Sequence, residues 1–503
     1  MRISRAHIAA LTLTSASALL VSSLVTPTAS AGPDPDKDSW KLRQAVTVAG
    51  MTEHLDALQT IADEHGDRAA GRPGYEASAR YVERVLHKAG YETERQYFPF
   101  QYEETLAESL TENAPTSRDI DVHVMGYSPN TPEGGITGDL VAPVTPTGCN
   151  AAEWGGVDAT GMIALVSRGA CTFSAKSLAA AEAGALAVIV YNNADGELSG
   201  TLGGENPDHI PSGGILQADG QDLLAEMETA TVNVTMELRV FKETRETFNV
   251  ITQSKGGDPD NVVMLGAHLD SVQDGAGIND NGTGSSALLE IAEQLTKFKK
   301  LNNTVRFAWW GAEESGLVGS TYYVNDLVTN DPDGLDAIAT YLNFDMIGSP
   351  NYIIGVYDAD ASTYPPTAPV PPGSVETEQV FRDYFDSIGQ DVVDYQFSGR
   401  SDYQAFINNG VASGGLSTGS NGLKSDYEEF LFGGASGVSY DPNYHSPEDD
   451  ITNVAFDALD IQSDAIAHAV ITLAYDTSPV EPAGPRSGEY RLAQTALPSG
   501  VVR

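Results

Sequence analysis

The chain has 503 residues, more than one ordinary domain needs, so two or three units with their own cores are expected. Asp and Glu number 70 against 28 Lys and Arg, and the resulting formal net charge of −42 excludes nucleic acid and anionic membrane surfaces as partners. Charge spread along the whole chain reads as a solvated surface, with attraction of cationic groups such as a free amino terminus as the functional alternative.

In chain order, Arg2 and Arg5 precede a mostly apolar run from Ile8 to Val25, and Ala29-Ser-Ala31 offers small residues where a signal peptidase cuts. Residues 1–31 are therefore expected to be a secretory signal, leaving a secreted, extracellular protein without a membrane anchor. Gly32 to Asp38 is rich in Pro and Asp and is expected to be disordered. Residues 32–118 form an N-terminal unit in which Met51–His65 and Tyr75–Ala89 show helical spacing around the loop Arg68–Gly74, with an edge strand following Gly90. Two helices and a strand cannot close a core, so they must pack on something later. His54, His65 and His87 sit on these helices and suggest no chemistry.

Residues 119–240 change texture to short strands separated by Gly, Pro and Asn, with one helix from about Ala175 to Ala183. The stretch reads as a small, mostly β insert whose two histidines, His123 and His209, are isolated. Cys149 and Cys171 are the only cysteines, and in an exported chain they are expected to form one disulfide. The order Arg168-Gly-Ala-Cys-Thr-Phe173, an Ala-rich helix, then Ala185-Leu-Ala-Val-Ile-Val-Tyr-Asn-Asn193 resembles the protease-associated domain inserted in several exopeptidases.

Residues 241–477 alternate strands and helices, which predicts an α/β unit built on a mainly parallel, mixed sheet with helices on both faces. Val262-Val-Met-Leu265 reads as a buried strand leading to His268, Asp270 and Asp280. Thr304–Trp310 leads to Glu313-Glu314, Ile338–Phe344 runs into Asp345, and a Pro/Asn loop supplies Tyr444 and His445 ahead of a helix from about Val454 to Ala474. Residues 478–503 lack periodicity and read as a linker or tail.

A lone His-x-Asp often caps a turn, and adjacent glutamates are usually a solvated turn. Convergence changes that reading, because the ends of parallel strands open on one edge of the sheet and bring distant residues together. Two imidazoles and several carboxylates without a thiolate suit zinc and, less well, manganese or cobalt. The set holds more ligands than one tetrahedral ion uses, so two metals sharing a carboxylate fit better than one. One of the paired glutamates would bind metal while its neighbour acts as general base. Asp270, two residues past His268, is placed to orient the imidazole.

Gly-Ala-His-Leu-Asp-Ser, Gly-Ile-Asn-Asp-Asn-Gly, Trp-Trp-Gly-Ala-Glu-Glu, Leu-Asn-Phe-Asp-Met-Ile-Gly and Tyr-His-Ser, in this order, resemble the secreted bacterial di-zinc leucyl aminopeptidases. That family includes aminopeptidase Y and is related to glutamate carboxypeptidase and the transferrin receptor. The resemblance implies a zinc exopeptidase fold, peptide substrates with a free N-terminus, and a preference for leucine and other large apolar residues. It implies two Zn2+ ions held by His268, Asp280, Glu314, Asp345 and His445, with Asp280 as the bridge. Glu313 would be the general base, and Tyr444 would hydrogen-bond the oxyanion. The segment Gly399-Arg-Ser-Asp-Tyr403 resembles a stretch lining the substrate cleft, where Arg400 would meet substrate polar groups or form a surface salt bridge. Calcium in the fold stays open, and a monomer is expected. The competing readings are a carboxypeptidase of the same superfamily, which would need cationic residues for a terminal carboxylate, and a catalytically silent binding protein using the protease-associated insert.

Overall fold

The computed structural model describes residues 35–194, 196–366 and 368–480. The secretory signal expected at residues 1–31 and the tail beyond residue 480 lie outside the described residues. The strands, in chain order, are β1 (Thr93–Ala114), β2 (Arg118–Ile120), β3 (His123–Val124), β4 (Ile136–Val141), β5 (Ile163–Ser167), β6 (Ala187–Tyr191) and β7 (Ser212–Ile215). They continue as β8 (Asn233–Gln253), β9 (Asp258–His268), β10 (Asn303–Trp310), β11 (Ile338–Phe344), β12 (Gly355–Tyr357), β13 (Val393–Tyr395) and β14 (Ser413–Ser417).

The order across the main path is β13-β12-β14-β11-β9-β10-β8-β4-β5-β6-β7-β3, with β1 paired to β8 off this path and β2 paired to β1. β14, β11, β9 and β10 run parallel, whereas β8 is antiparallel to β10 and β12 to β14. The peptidase part is therefore a mixed sheet with a parallel centre, and the carboxyl ends of the four central strands share one edge. In the insert, β4 to β7 pair in parallel and β4 joins β8 antiparallel, so the insert's strands continue the same sheet. The helix Phe173–Glu182 packs there as the sequence predicts, and Cys149 is bonded to Cys171.

β9 is buried along Val262–His268, which explains its near-continuous apolar sequence. On one face of the sheet, Leu55, Leu58, Val82 and Leu86 of the N-terminal helices Val48–His65 and Pro73–Ala89 share a core with Val263, Leu265, Leu288, Ile291 and Ile466. The N-terminal helices thus pack on the helices Thr283–Leu295 and Phe456–Tyr475 as well as on each other. Each fully buried Leu or Ile contributes about 1.5–3 kcal/mol. On the other face Trp310, Tyr341, Tyr323 and Phe406 cluster, and Trp310 Nε1 donates to the Tyr341 hydroxyl at 2.8 Å.

The expected disorder of Gly32–Asp38 is overturned from Pro35 onward, where the helix Pro35–Ala45 begins. Proline at the first helical position fits a fixed φ, and Asp36 and Asp38 complement the positive end of the helix dipole. Leu42 on that helix is fully buried. At the other end, Val480 is fully buried in the peptidase core, so the packed chain extends past Ser478. No helix among the described residues is long and apolar enough to cross a membrane.

Candidate metal centre

His268 is the last residue of β9, Glu313 and Glu314 follow β10, and Asp345 follows β11. Asp280 lies in the tight turn ahead of the helix Thr283–Leu295, and His445 arrives on the loop before the helix Phe456–Tyr475. These six side chains meet at the carboxyl edge of the sheet. His268 Nε2 lies 3.1 Å from Asp280 Oδ1 and 3.3 Å from Asp345 Oδ1. His445 Nε2 lies 3.4 Å from Asp280 Oδ2 and 3.1 Å from Glu314 Oε2. The two oxygens of Asp280 thus face different histidines, dividing the cluster into two halves that share one carboxylate. Glu313 stands in the half of His268 and Asp345, with donor atoms all within 4.8 Å of one another.

Three backbone positions around the cluster are left-handed without being glycine: Ala312, Met346 and His445, each at φ 57°. Such positions cost on the order of 1 kcal/mol or more each and persist only where the surroundings hold them. Here they lie beside Glu313, beside Asp345 and at His445 itself, so strain is concentrated on the loops that aim the ligands.

The electrostatics follow from crowding of carboxylates in a dry site. Burial pushes the Glu313 carboxyl well above its usual range; the imidazole of His268 opposes this, while Glu314, Asp345 and Asp402 add to it. Burial and the charge of Asp280 raise Glu314 to about 7. Burial alone would lower His445, but Asp280 and Glu314 outweigh it and bring it to about 10. Burial likewise lifts Asp402 to about 7. Negative charge exceeds what two imidazoles balance, and Glu314 Oε1 is buried without a hydrogen-bond partner. Divalent cations of the hard or borderline class are the species this nitrogen and oxygen donor set fits.

The supporting residues are less visible in sequence. Asp270 does reach His268, but through its backbone carbonyl, 3.0 Å from Nδ1; its carboxylate stands 3.8 Å away and accepts the amides of Glu313 at 3.2 Å and Glu314 at 3.3 Å. It therefore fixes the imidazole tautomer with one group and the glutamate turn with another. Arg68, wholly buried, donates to the carbonyls of Leu269, Ala276 and Gly277 and pins the loop between His268 and Asp280. Asp449 accepts the amides of Asn279 at 2.8 Å and Asp280 at 3.0 Å, and Ser401 donates to Asp345 Oδ2. The sequence assigns no role to Arg68 or Asp449, and places Ser401 only within the cleft segment Gly399–Tyr403.

Beside the cluster opens a cavity of ≈230 Å³ lined by Asp280, Glu313, Glu314 and Asp345 on one side and by Met346, Tyr357, Tyr395, Tyr403 and Tyr440 on the other. Tyr444 and Arg400 stand at this cavity, and Arg400 Nη2 donates to the Tyr444 hydroxyl at 3.2 Å while Nη1 donates to Asn421 Oδ1 at 3.2 Å. Burial and the nearby carboxylates of Asp280 and Glu314 push the Tyr444 phenol up, so it stays protonated and able to donate.

Residues 249–470 match the model of peptidase family M28, and residues 136–223 match that of the PA domain. The chain is 42% identical over 433 residues to leucine aminopeptidase 2 of Trichophyton rubrum, covering 85% of this chain and 84% of that one. Among solved structures, an aminopeptidase from Aneurinibacillus sp. strain AM-1 superposes with a TM-score of 0.67 at 25% identity, covering 88% of this chain and 96% of its own. A zinc aminopeptidase from Bacillus subtilis gives 0.65 at 27% identity, covering 87% of this chain and 98% of its own.

Proposed function

The chain belongs to peptidase family M28 and is a zinc-dependent aminopeptidase, and from that premise we propose that it works with two zinc ions, Glu313 as general base and a preference for large apolar N-terminal residues such as leucine. The observation that carries this reading is Asp280, whose two oxygens face His268 and His445 separately. His268 and Asp345 would hold one ion, His445 and Glu314 the other, and Asp280 both. Zinc there would acidify a water and polarise the scissile carbonyl.

Glu313 takes the proton of the attacking water and passes it to the leaving amine, a role its raised proton affinity suits. The Tyr444 hydroxyl, held by Arg400, donates to the oxygen that becomes negative as the carbonyl turns tetrahedral. The acidic side of the cavity attracts the substrate ammonium group, and the side formed by Met346, Tyr357, Tyr395 and Tyr403 offers an apolar surface to its first side chain. A carboxypeptidase would need a free cation for a terminal carboxylate, and among the described residues the one Lys or Arg lining this cavity, Arg400, already donates to Tyr444 and Asn421.

Secretion as the working environment is supported by the Cys149–Cys171 disulfide, which oxidising compartments maintain. The deciding assay compares zinc-loaded and metal-stripped protein on leucyl peptides with free and acetylated N-termini. Cleavage of the free peptide alone, by the loaded protein alone, is expected. Equal cleavage of the acetylated peptide would sink the aminopeptidase mechanism.

A further inference from the structure

A second group of metal-type donors lies between two helices on the face of the sheet that carries the N-terminal unit. His54, on the helix Val48–His65, and Glu290 and Glu293, on the helix Thr283–Leu295, bring one donor atom each within 4.8 Å of one another. Glu290 and Glu293 are three residues apart and so project from one side of their helix toward the other helix. His54 is 5% exposed and Glu290 4%.

His54 Nε2 is buried and makes no hydrogen bond. It faces Glu293 Oε2 at 3.5 Å and Glu290 Oε2 at 3.7 Å, both longer than a good N–H···O bond. These are separations that ligands take around one ion, because bonds of about 2.0–2.2 Å at tetrahedral angles put donor atoms roughly 3.4 Å apart. The other ring nitrogen is already engaged: Nδ1 lies 2.7 Å from the Tyr81 hydroxyl. With Nδ1–H donating to Tyr81, Nε2 keeps its lone pair directed at the carboxylates, the second-sphere arrangement typical of a metal-bound imidazole.

Charge points the same way. Among the described residues, His54 is the ion-pair partner of both Glu290 and Glu293, and no Lys or Arg bridges to either. A neutral imidazole leaves two partly or wholly buried carboxylates without compensation, which is costly, and a divalent cation cancels both charges. The carboxylate sits against the helix Val48–His65 at Gly50, where a Cβ would lie 2.5 Å from Glu290 Oε1 and push the group aside. Gln294 Nε2 holds that same Oε1 at 3.0 Å, leaving Oε2 for the ion.

We propose that His54, Glu290 and Glu293 form a structural binding site for one divalent cation of the zinc class, separate from the catalytic centre, that clamps the N-terminal helices onto the helix following Asp280. Three protein donors and one water would complete a tetrahedral shell. Glu290 and Glu293 stand on the helix that begins three residues after Asp280, so the ion ties the N-terminal unit to the base of the bridging-carboxylate loop.

The test measures zinc per chain by elemental analysis in the full-length protein after equilibration with Zn2+ and removal of excess. Wild type is expected to hold one zinc more than His54→Gln and one more than Glu293→Gln, whose partly exposed site makes it the safer variant for folding. The difference of one is independent of how many ions the catalytic cluster holds, so it stands or falls apart from the two-zinc reading. Tyr81→Phe is expected to weaken this zinc by about 10–100-fold while leaving leucyl-peptide turnover unchanged. Equal zinc content in wild type and both variants overturns the proposal.

Discussion

Among the described residues, two clusters combine histidine with several carboxylates, and they are built in opposite ways. The one at the sheet edge takes its residues from four separate loops, three of them carrying left-handed non-glycine backbone, and opens on a cavity of ≈230 Å³. The one between helices takes three residues from two regular helices, with left-handed strain absent from both, and closes against Tyr81 and Gly50. Loops at a strand edge place groups from distant parts of the chain around a reacting atom, at the expense of strain. Helix faces place groups at fixed spacing with little strain, and leave no room for a substrate. The first is the geometry of an open, catalytic site and the second that of a closed, structural one.

Substitutions can break or sharpen this contrast. The largest effect is expected from Glu313→Gln, which keeps shape and removes the base: kcat should fall about 10³-fold with zinc content unchanged, measured by single-turnover cleavage beside elemental analysis. A matching loss from His54→Gln would erase the distinction between the two clusters. Arg68→Met should come next, because three buried carbonyls lose their donor; unfolding in urea is expected to show a loss of about 3 kcal/mol, with weaker zinc retention at the sheet edge. Tyr444→Phe should lower kcat about 30-fold with little change in stability, and an unchanged rate would remove the phenol from the oxyanion site.

A third histidine supplies the control. His468 is half-buried without a carboxylate partner: Nδ1 meets Ser39 Oγ at 2.8 Å and its ring stacks on Tyr384 at 4.8 Å. Burial, with help from the charge of Arg43, lowers it to about 4 from 6.5. Below pH 6.5 the unfolded chain binds a proton that the native state refuses until about pH 4, so this group makes stability fall across that window and level off beneath it. His468→Gln should flatten the pH dependence of unfolding between pH 6 and 4 by about 2 kcal/mol. An unchanged slope would mean that the ring is protonated in the fold.

Legibility in the sequence divided along the same line. His268, Asp280, Glu313, Glu314, Asp345 and His445 could be read because each follows an apolar strand or a Pro/Asn loop, and a parallel sheet makes such ends converge. Arg68, Asp449 and Ser401 could not, because they act on backbone amides, carbonyls or another side chain, and nothing in local composition encodes such partners. An arginine between small residues, as in Asp67-Arg-Ala-Ala-Gly71, is the one hint that Arg68 is enclosed. His54 was assigned no chemistry because His and Glu on amphipathic helices are ordinary surface residues; only the packing of Val48–His65 on Thr283–Leu295 brings them together. The helix Pro35–Ala45 was hidden by the composition of its first turn, where proline and aspartate signal a helix start as readily as disorder.

The long strands β1 and β8 are paired from Thr93 with Thr252 to Ala114 with Asn233, and β8 also borders β10 of the peptidase and β4 of the insert. The two halves are thus joined by a beam rather than a tether. A two-stranded ribbon resists stretching and shear along its hydrogen bonds but flexes across its thin dimension, so the insert is left with one soft bending direction relative to the peptidase sheet. The irregular register between Thr105 and Ala107 is where that flexure is cheapest.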